Sequence, residues 1–266
     1  GPLFVSLVCH KDLFAYLIAI KSVYSRIQRG RIIVLNDGSL TEHDKGILRH
    51  HLNEPTFYHV DEIEKGPCPT YICWARLLLI ADLCQSDYVV QVDSDIVAQG
   101  PLPDIVECID TETGFIIVNP QNPGRATFRE TSEWIDARNW EFDTVQLRAE
   151  RGMRDLPDAD NRFYVRGSAA FVGFPKTSIS REKIYEFSEQ MEPVAGDLWR
   201  QWGSEQTTTN HVVAEINPLK LLEYPEYVNN APALDVEPAK IVHFFGTYRY
   251  FEKRYARSVK KISLSL

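Results

Sequence analysis

The 266-residue chain lacks most of the signatures that assign a class at a glance. No apolar run reaches ~18 residues, so no stretch reads as a membrane-spanning helix. No G-x-x-x-x-G-K-[S/T] loop occurs, which sets P-loop nucleotide chemistry aside. Excess basic charge is missing too. The net charge is −8, whereas a general nucleic-acid binder needs a basic face. There is no Cys-x-x-Cys pair and no Asn-x-Ser/Thr sequon. The five cysteines, at 9, 68, 73, 84 and 108, fit neither a disulfide framework nor a zinc ribbon, and reduced thiols in a cytoplasmic protein are the simpler expectation. The chain opens with Gly-Pro directly before a strand, as a cleavage scar or trimmed end would. An upstream anchor would then lie outside it.

What is present is an alternation of strands and helices. "LFVSLVC" (3–9) reads as a buried strand, and 12–28 has helical spacing through Leu13, Tyr16, Leu17, Ile20 and Tyr24. "RIIVLN" is a second strand ending in the turn "NDGS". A helix follows from about Thr41, with Ser39 and Glu42 at capping-box spacing. "TFYHV" is a third strand, 70–84 an apolar helix, and 87–93 a fourth strand. Further on, "GFIIVN" (114–119) is a strand, a helical piece lies near 131–150, and "FYVRGSAAFVGF" (163–174) reads as strands around a glycine. Helices near 180–191 and 204–215, the latter with Ser204 as N-cap, precede a last strand in "AKIVHFFG" (239–246). The pattern implies one α/β domain, a single Rossmann-like sheet with helices on both faces.

In such a sheet, ligands bind beyond the carboxyl ends of the strands. Asp93 and Asp95 stand at one such end, in "YVVQVDSDIV". Two carboxylates one residue apart in a bent loop reach one hard cation together, and Mg²⁺ and Mn²⁺ usually share such ligands with substrate phosphates. A second Asp-x-Asp, Asp158 to Asp160, has no strand before it. His243, in an apolar strand closed by Gly246, is either a satisfied core histidine or a third ligand, which would shift preference towards Mn²⁺. Gly246 would let backbone approach a phosphate closely. Arg76, inside the apolar "YICWARLLLI", needs an anion: a carboxylate such as Asp82, or a phosphate. Asp37 and His10 follow the second and first strands, where a ribose or a base would sit. Glu205 and Gln206 open a helix, suited to its N-terminus or to a sugar. "RGSAA" (166–170) is small enough for a ligand to lie on the backbone, or marks a tight strand crossing. The histidines of "HDKGILRHH" (43–51) read as a solvated face, and so does the basic tail from Arg249.

Together these residues resemble a nucleotide-sugar glycosyltransferase of the GT-A fold, with the pattern of glycosyltransferase family 8. "TYICWARLLLIADLCQSDYVVQVDSDIVAQGPL" is similar to that family's arginine helix and "YLDxDxxxxxxL" strand. "GSEQTTTN" is similar to its "DQDxxN" helix, "IVHFFGTYR" to its "IxHFxGxxKPW" motif, and "RGSAAFVGF" to its "FNSGVxL" strand. The resemblance implies a nucleotide-binding half (1–118) and a sugar- and acceptor-binding half (119–266). It implies metal ligands at Asp93, Asp95 and His243, with Mn²⁺ as cofactor or Mg²⁺ in its place. Contacts to the nucleotide sugar fall on Cys9, His10, Asp37, Arg76, Asp93, Ser94, Gly167, Ser168, Gly246 and Arg249, and catalytic contacts to the sugar on Glu205 and Gln206. The implied reaction is transfer of a hexose, from UDP-hexose by expectation, to a glycan, lipid-linked or protein acceptor with retention. Glu205 replaces the family's Asp, and "GTYRY" lacks its Lys-Pro-Trp, with Arg249 in the lysine's place. "NDGS" is also similar to a turn of inverting enzymes; inversion would need a base, Glu205 or Asp160. A non-catalytic module that binds sugar nucleotides or polysaccharide is the other alternative. The expected location is cytoplasmic, with membrane association through the basic tail or a missing upstream segment as a variant.

Overall fold

The computed structural model describes residues 1–122 and 124–263. β1 (Leu3–Val8) pairs in parallel with β2 (Arg31–Asn36), which pairs in parallel with β3 (Thr56–His59). The nearly unbroken apolar runs of β1 and β2 suit strands covered on both faces, while β3 is the partly exposed edge strand. α1 (Leu13–Ile27) and α2 (Glu42–Leu52) make the two crossovers. α2 is capped two residues on from the expected box. The Thr41 hydroxyl accepts from the Asp44 N–H, and the Asp44 carboxylate accepts from the Thr41 N–H. Ser39 is spent in the preceding turn: its hydroxyl donates to Asp37 (2.6 Å) and accepts from the His10 N–H (2.8 Å).

α3 (Cys73–Leu83), β4 (Val89–Val92), β5 (Ile96–Ala98), α4 (Pro103–Asp110) and β6 (Gly114–Val118) complete the first half. Then come β7 (Arg125–Thr127), α5 (Phe128–Asp136), α6 (Val145–Gly152), β8 (Phe163–Val165) and β9 (Gly167–Phe174). The helix expected near 131–150 is thus two helices. The Trp140 indole donates to the Ile135 carbonyl (2.8 Å) between them and folds the link back onto α5. The chain closes with α7 (Arg181–Ala195), α8 (Ser204–Ala214), β10 (Leu219–Leu222), β11 (Tyr227–Asn229), β12 (Ile241–His243) and α9 (Arg254–Ile262).

The main sheet has the order β10-β6-β9-β4-β1-β2-β3, with β9 antiparallel to both neighbours and the other pairings parallel. Its two faces separate along β1 with a period of two. Leu3 and Val5 join α3, α7 and α8 in one core, while Phe4 and Val8 join α1, α2 and α4 in the other. The expected single sheet is therefore its mixed centre, but two small sheets are added: β11-β12-β5 and β7-β8. The first of these builds the site. Its strands have three residues each, too short to leave a periodic trace in sequence.

Candidate active site

The ladder between β4 and β9 runs one residue past β4, where the Asp93 N–H donates to the Ala170 carbonyl (2.8 Å). Asp95 stands at the entrance to β5. β5 pairs antiparallel with β12 so that Ile96 faces His243, and the Phe244 N–H donates to the Asp95 carbonyl (2.8 Å). Two segments far apart in sequence meet here, with His243 Nε2 3.3 Å from Asp95 Oδ1. One ligand atom each from Asp93, Asp95 and His243 all lie within 4.8 Å of one another. Around an octahedral ion with ligands at about 2.1 Å, adjacent ligands are about 3 Å apart and opposite ones about 4.2 Å. Separations of up to 4.8 Å stand just outside that range, so a small side-chain movement brings the three atoms onto a single cation.

The imidazole is oriented from behind. β11 runs parallel to β12 with Asn229 opposite His243. Asn229 Oδ1 lies 2.8 Å from His243 Nδ1, while Asn229 Nδ2 donates to Asn119 Oδ1 (2.9 Å), which sets the amide's orientation. This contact fixes the ring with Nε2 turned towards the acids, the orientation of a metal-ligating histidine. Nε2 facing a carboxylate oxygen at this distance is favourable with a proton or a metal ion between them, so the same geometry serves an imidazolium or a bound cation. Ser168 Oγ lies 3.2 Å from the same Nδ1. Sequence reasoning missed Asn119 and Asn229. The only local signal is an asparagine at or just past a strand end.

Two arginines crowd the acids. Arg249 Nη2 donates to Asp95 Oδ2 (2.7 Å), Nη1 to Asp12 Oδ1 (3.1 Å) and Nε to the Phe244 carbonyl (3.2 Å), tying the loop after β1 to the site. Buried Arg76 is paired with Asp93 and, at 3.4 Å, with Glu205. The carboxylate expected for Arg76 is therefore present, but it is not Asp82, which binds Arg181 (2.6 Å). Burial pushes the Asp93 carboxyl up, against the pull of Arg76. Burial also works against ionised Asp95, but the hydrogen bonds and charge of His243 and Arg249 outweigh it and hold that carboxyl below its usual value. An added cation would relieve the first carboxyl and match the second.

Glu205 reaches the site because α8 is buried almost throughout. Its threonines would disfavour a helix, but two of their hydroxyls donate back to i−4 carbonyls, Thr207 to Gly203 (3.0 Å) and Thr208 to Ser204 (3.1 Å). Asn210 donates to the Tyr164 hydroxyl (3.2 Å). Gly203, at φ +105°, takes the N-cap position expected of Ser204. A Cβ there would approach Val145 Cγ1 to 2.9 Å. The Ser204 hydroxyl instead accepts from the Trp74 indole (3.0 Å), pinning the start of α8 to α3 and setting Glu205 beside Arg76.

Asp93, Asp95, His243, Arg76, Glu205 and the two asparagines line a cavity of 480 Å³ together with Gly167, Ser168, Gln206 and Gly246, while Arg249 holds Asp95 from outside that lining. Gly246 has φ +43° and open space where a Cβ would be. Gly167 is required by packing, since its Cβ would meet Ile116 Cδ1 at 2.6 Å. The tight strand crossing is real there, and the position still faces the cavity. Cys9, His10 and Asp37 lie at the same sheet edge but outside this lining. The Cys9 thiol donates to Asp12 (3.4 Å), and Asp37 accepts from the Ser39 N–H (2.8 Å). The mostly exposed His10 ring bonds Asp44 through Nδ1 (2.7 Å). Ser94 sits in the turn between the two acids, also outside the lining. Asp160 is exposed and paired with Arg129 (2.6 Å), away from the cavity. His43, His50 and His51 are exposed, as expected. All five cysteines are unpaired. Among the described residues no helix is long and apolar enough to cross a membrane.

No protein-family model matches the chain, and no curated protein is similar enough to match it. Solved structures are similar in fold. A galactosyltransferase, LgtC, determined with donor and acceptor sugar analogs, superposes with a TM-score of 0.60 at 14% identity, over 99% of this chain and 96% of that one. The bifunctional glycosyltransferase WbbM gives 0.59 at 15% identity, over 98% of this chain, which spans about half of WbbM (49%). The glycosyltransferase GlyE of Streptococcus pneumoniae gives 0.56 at 14% identity, over 99% of this chain and 61% of that one. The fold is the GT-A fold of these glycosyltransferases.

Proposed function

We propose that this chain is a metal-dependent glycosyltransferase that moves a hexose from a nucleoside diphosphate sugar, UDP-hexose by first choice, to an acceptor hydroxyl with retention. The observation that carries this is the convergence of Asp93, Asp95 and oriented His243 on the wall of the 480 Å³ cavity. The carboxyl edge of a parallel sheet is where such folds hold ligands. Glycosyltransferases that share the fold, LgtC among them, favour the assignment.

Asp93, Asp95 and His243 would hold Mn²⁺, which an imidazole beside two carboxylates favours over Mg²⁺. Bound there, the ion supplies Lewis-acid neutralisation of the leaving diphosphate. Residues 1–118 would bind the nucleotide, with His10, Cys9 and Asp37 near the base and ribose. Residues 119–266 would bind sugar and acceptor. Gly246 leaves room for backbone to approach a phosphate, with Arg249 beside it, while Ser94, Gly167 and Ser168 border the sugar. Arg76 would exchange one carboxylate partner for donor oxygens, since its guanidinium suits both. Glu205 and Gln206 face the sugar and stabilise positive charge and hydroxyls at the reacting ring.

In the transfer, the acceptor oxygen bonds to the anomeric carbon. The bond from that carbon to the diphosphate breaks, and its electron pair leaves on the phosphate oxygen, which takes the acceptor's proton. Retention is favoured because the cavity offers no spare base. Glu205 is engaged by Arg76 (3.4 Å) and by the Thr209 hydroxyl (3.3 Å), and Asp160 lies elsewhere. The test is a screen of nucleotide sugars for Mn²⁺-dependent hydrolysis and transfer, with NMR of the anomeric product. Binding without hydrolysis of any donor would make the protein a sugar-nucleotide module instead, and an inverted product would reject retention and require a carboxylate base freed from its arginine.

A further inference from the structure

A second cavity, of 300 Å³, adjoins the first and shares Trp202, Gly203 and Gln206 with it. Its other polar lining includes Asp143, Gln146 and Gln201. Trp202 is 69% exposed, as is Phe142 beside Asp143. A large indole left in water between two connected cavities is unusual for a side chain whose apolar area normally seeks burial. Among the described residues, neither the Trp202 indole N–H nor the side-chain amides of Gln201 and Gln206 have a hydrogen-bond partner.

The chemistry of this lining selects its occupant. The one acid, Asp143, is paired with Arg148 (2.6 Å), and among the described residues no lysine or arginine lines the cavity to receive a phosphate or carboxylate. Among the described residues the apolar wall comes from Val145, Leu198 and the Trp202 ring, too little for a lipid chain. Primary amides carry donors and acceptors together, as sugar hydroxyls do, and the indole offers a flat apolar face with a polar edge. The volume sits at the lower end of small-ligand cavities, which run from about 300 Å³.

We propose that this cavity is the acceptor subsite and that the acceptor is a neutral saccharide whose terminal ring stacks on Trp202, with Gln206 spanning both sugars. The proposal rests on the glycosyltransferase reading above. The test is a fluorescence titration of the whole chain with maltose, cellobiose, lactose and N-acetyllactosamine, and separately with a serine peptide and a polyprenyl phosphate. UDP and GDP binding with Mn²⁺ is measured in parallel by calorimetry. The expected result is saturable quenching by at least one saccharide, weakened about tenfold or more in Trp202→Ala and largely kept in Trp202→Phe. Because the side chain is mostly exposed, neither variant should fail to fold, and circular dichroism checks this. No saccharide binding, equal binding by Trp202→Ala, or binding of the peptide or lipid alone overturns the proposal. Nucleotide binding without saccharide binding rejects the acceptor assignment alone. Saccharide binding without nucleotide binding keeps the subsite and rejects the donor assignment.

Discussion

Asp95→Ala separates a metal ligand from a structural acid. Asp95 is buried, and its carboxylate takes Arg249 at 2.7 Å and faces His243 at 3.3 Å. Breaking a buried pair costs about 3–5 kcal/mol when it strands the partner charge. Here the partner is not stranded, since Arg249 keeps Asp12 (3.1 Å) and the Phe244 carbonyl (3.2 Å). His243 keeps Asn229. The main-chain bond from Phe244 survives any side-chain change. Removing a carboxylate next to half-buried Asp93 also relieves like-charge repulsion. The expected stability change is within about 1 kcal/mol, or about 2–4 °C in Tm for a chain of this size. The activity change runs the other way. Loss of a ligand forfeits several kcal/mol of charge stabilisation on the leaving group, so Mn²⁺-dependent turnover should fall about 10³-fold or more. Thermal melts, Mn²⁺ titration followed by EPR and donor hydrolysis check the three quantities. A Tm loss of about 10 °C or more, or a variant that still binds Mn²⁺ and turns over, would refute the argument.

Asn229→Ala should cost about 10–100-fold in Mn²⁺ affinity by freeing the His243 ring, with activity recovering as Mn²⁺ is raised; unchanged affinity would deny the relay. His211 is held neutral because burial lowers its pKa from 6.5 to about 3, while its Nδ1–H bonds the Phe163 carbonyl. Below pH 6.5 the unfolded chain binds a proton that the fold refuses, so stability is full above 6.5 and falls towards pH 3, by up to about 1.4 kcal/mol per pH unit. His211→Asn should flatten that limb of a urea-melt series by one proton's slope, and an identical slope would reject the assignment. Thr41→Ala should cost about 1 kcal/mol through the lost cap of α2. Ser39→Ala, outside that capping box, should cost less by chemical denaturation.

The alternating apolar runs of β1, β2 and β4, and the helices between them, were legible because covalent periodicity and burial on both faces leave a direct imprint on residue order. The same holds for Asp93 and Asp95, where an apolar strand stops at two acids. Local reasoning failed where two residues competed for one role. Thr41 rather than Ser39 caps α2, and Gly203 rather than Ser204 opens α8, because neighbouring turns and a buried indole claim the serines.

Residue order by itself determined an α/β sheet with an acidic pair at its carboxyl edge, since these are local matters of period and polarity, while the antiparallel β9 that makes the sheet mixed came from tertiary pairing. Tertiary structure alone decided that His243 stands against Asp95, that Asn229 and Asn119 aim it, that Arg76 bridges Asp93 to Glu205, and that Trp202 divides two cavities. Those meetings depend on pairing three-residue strands and on burying α8, non-local contacts whose register no short stretch of sequence encodes.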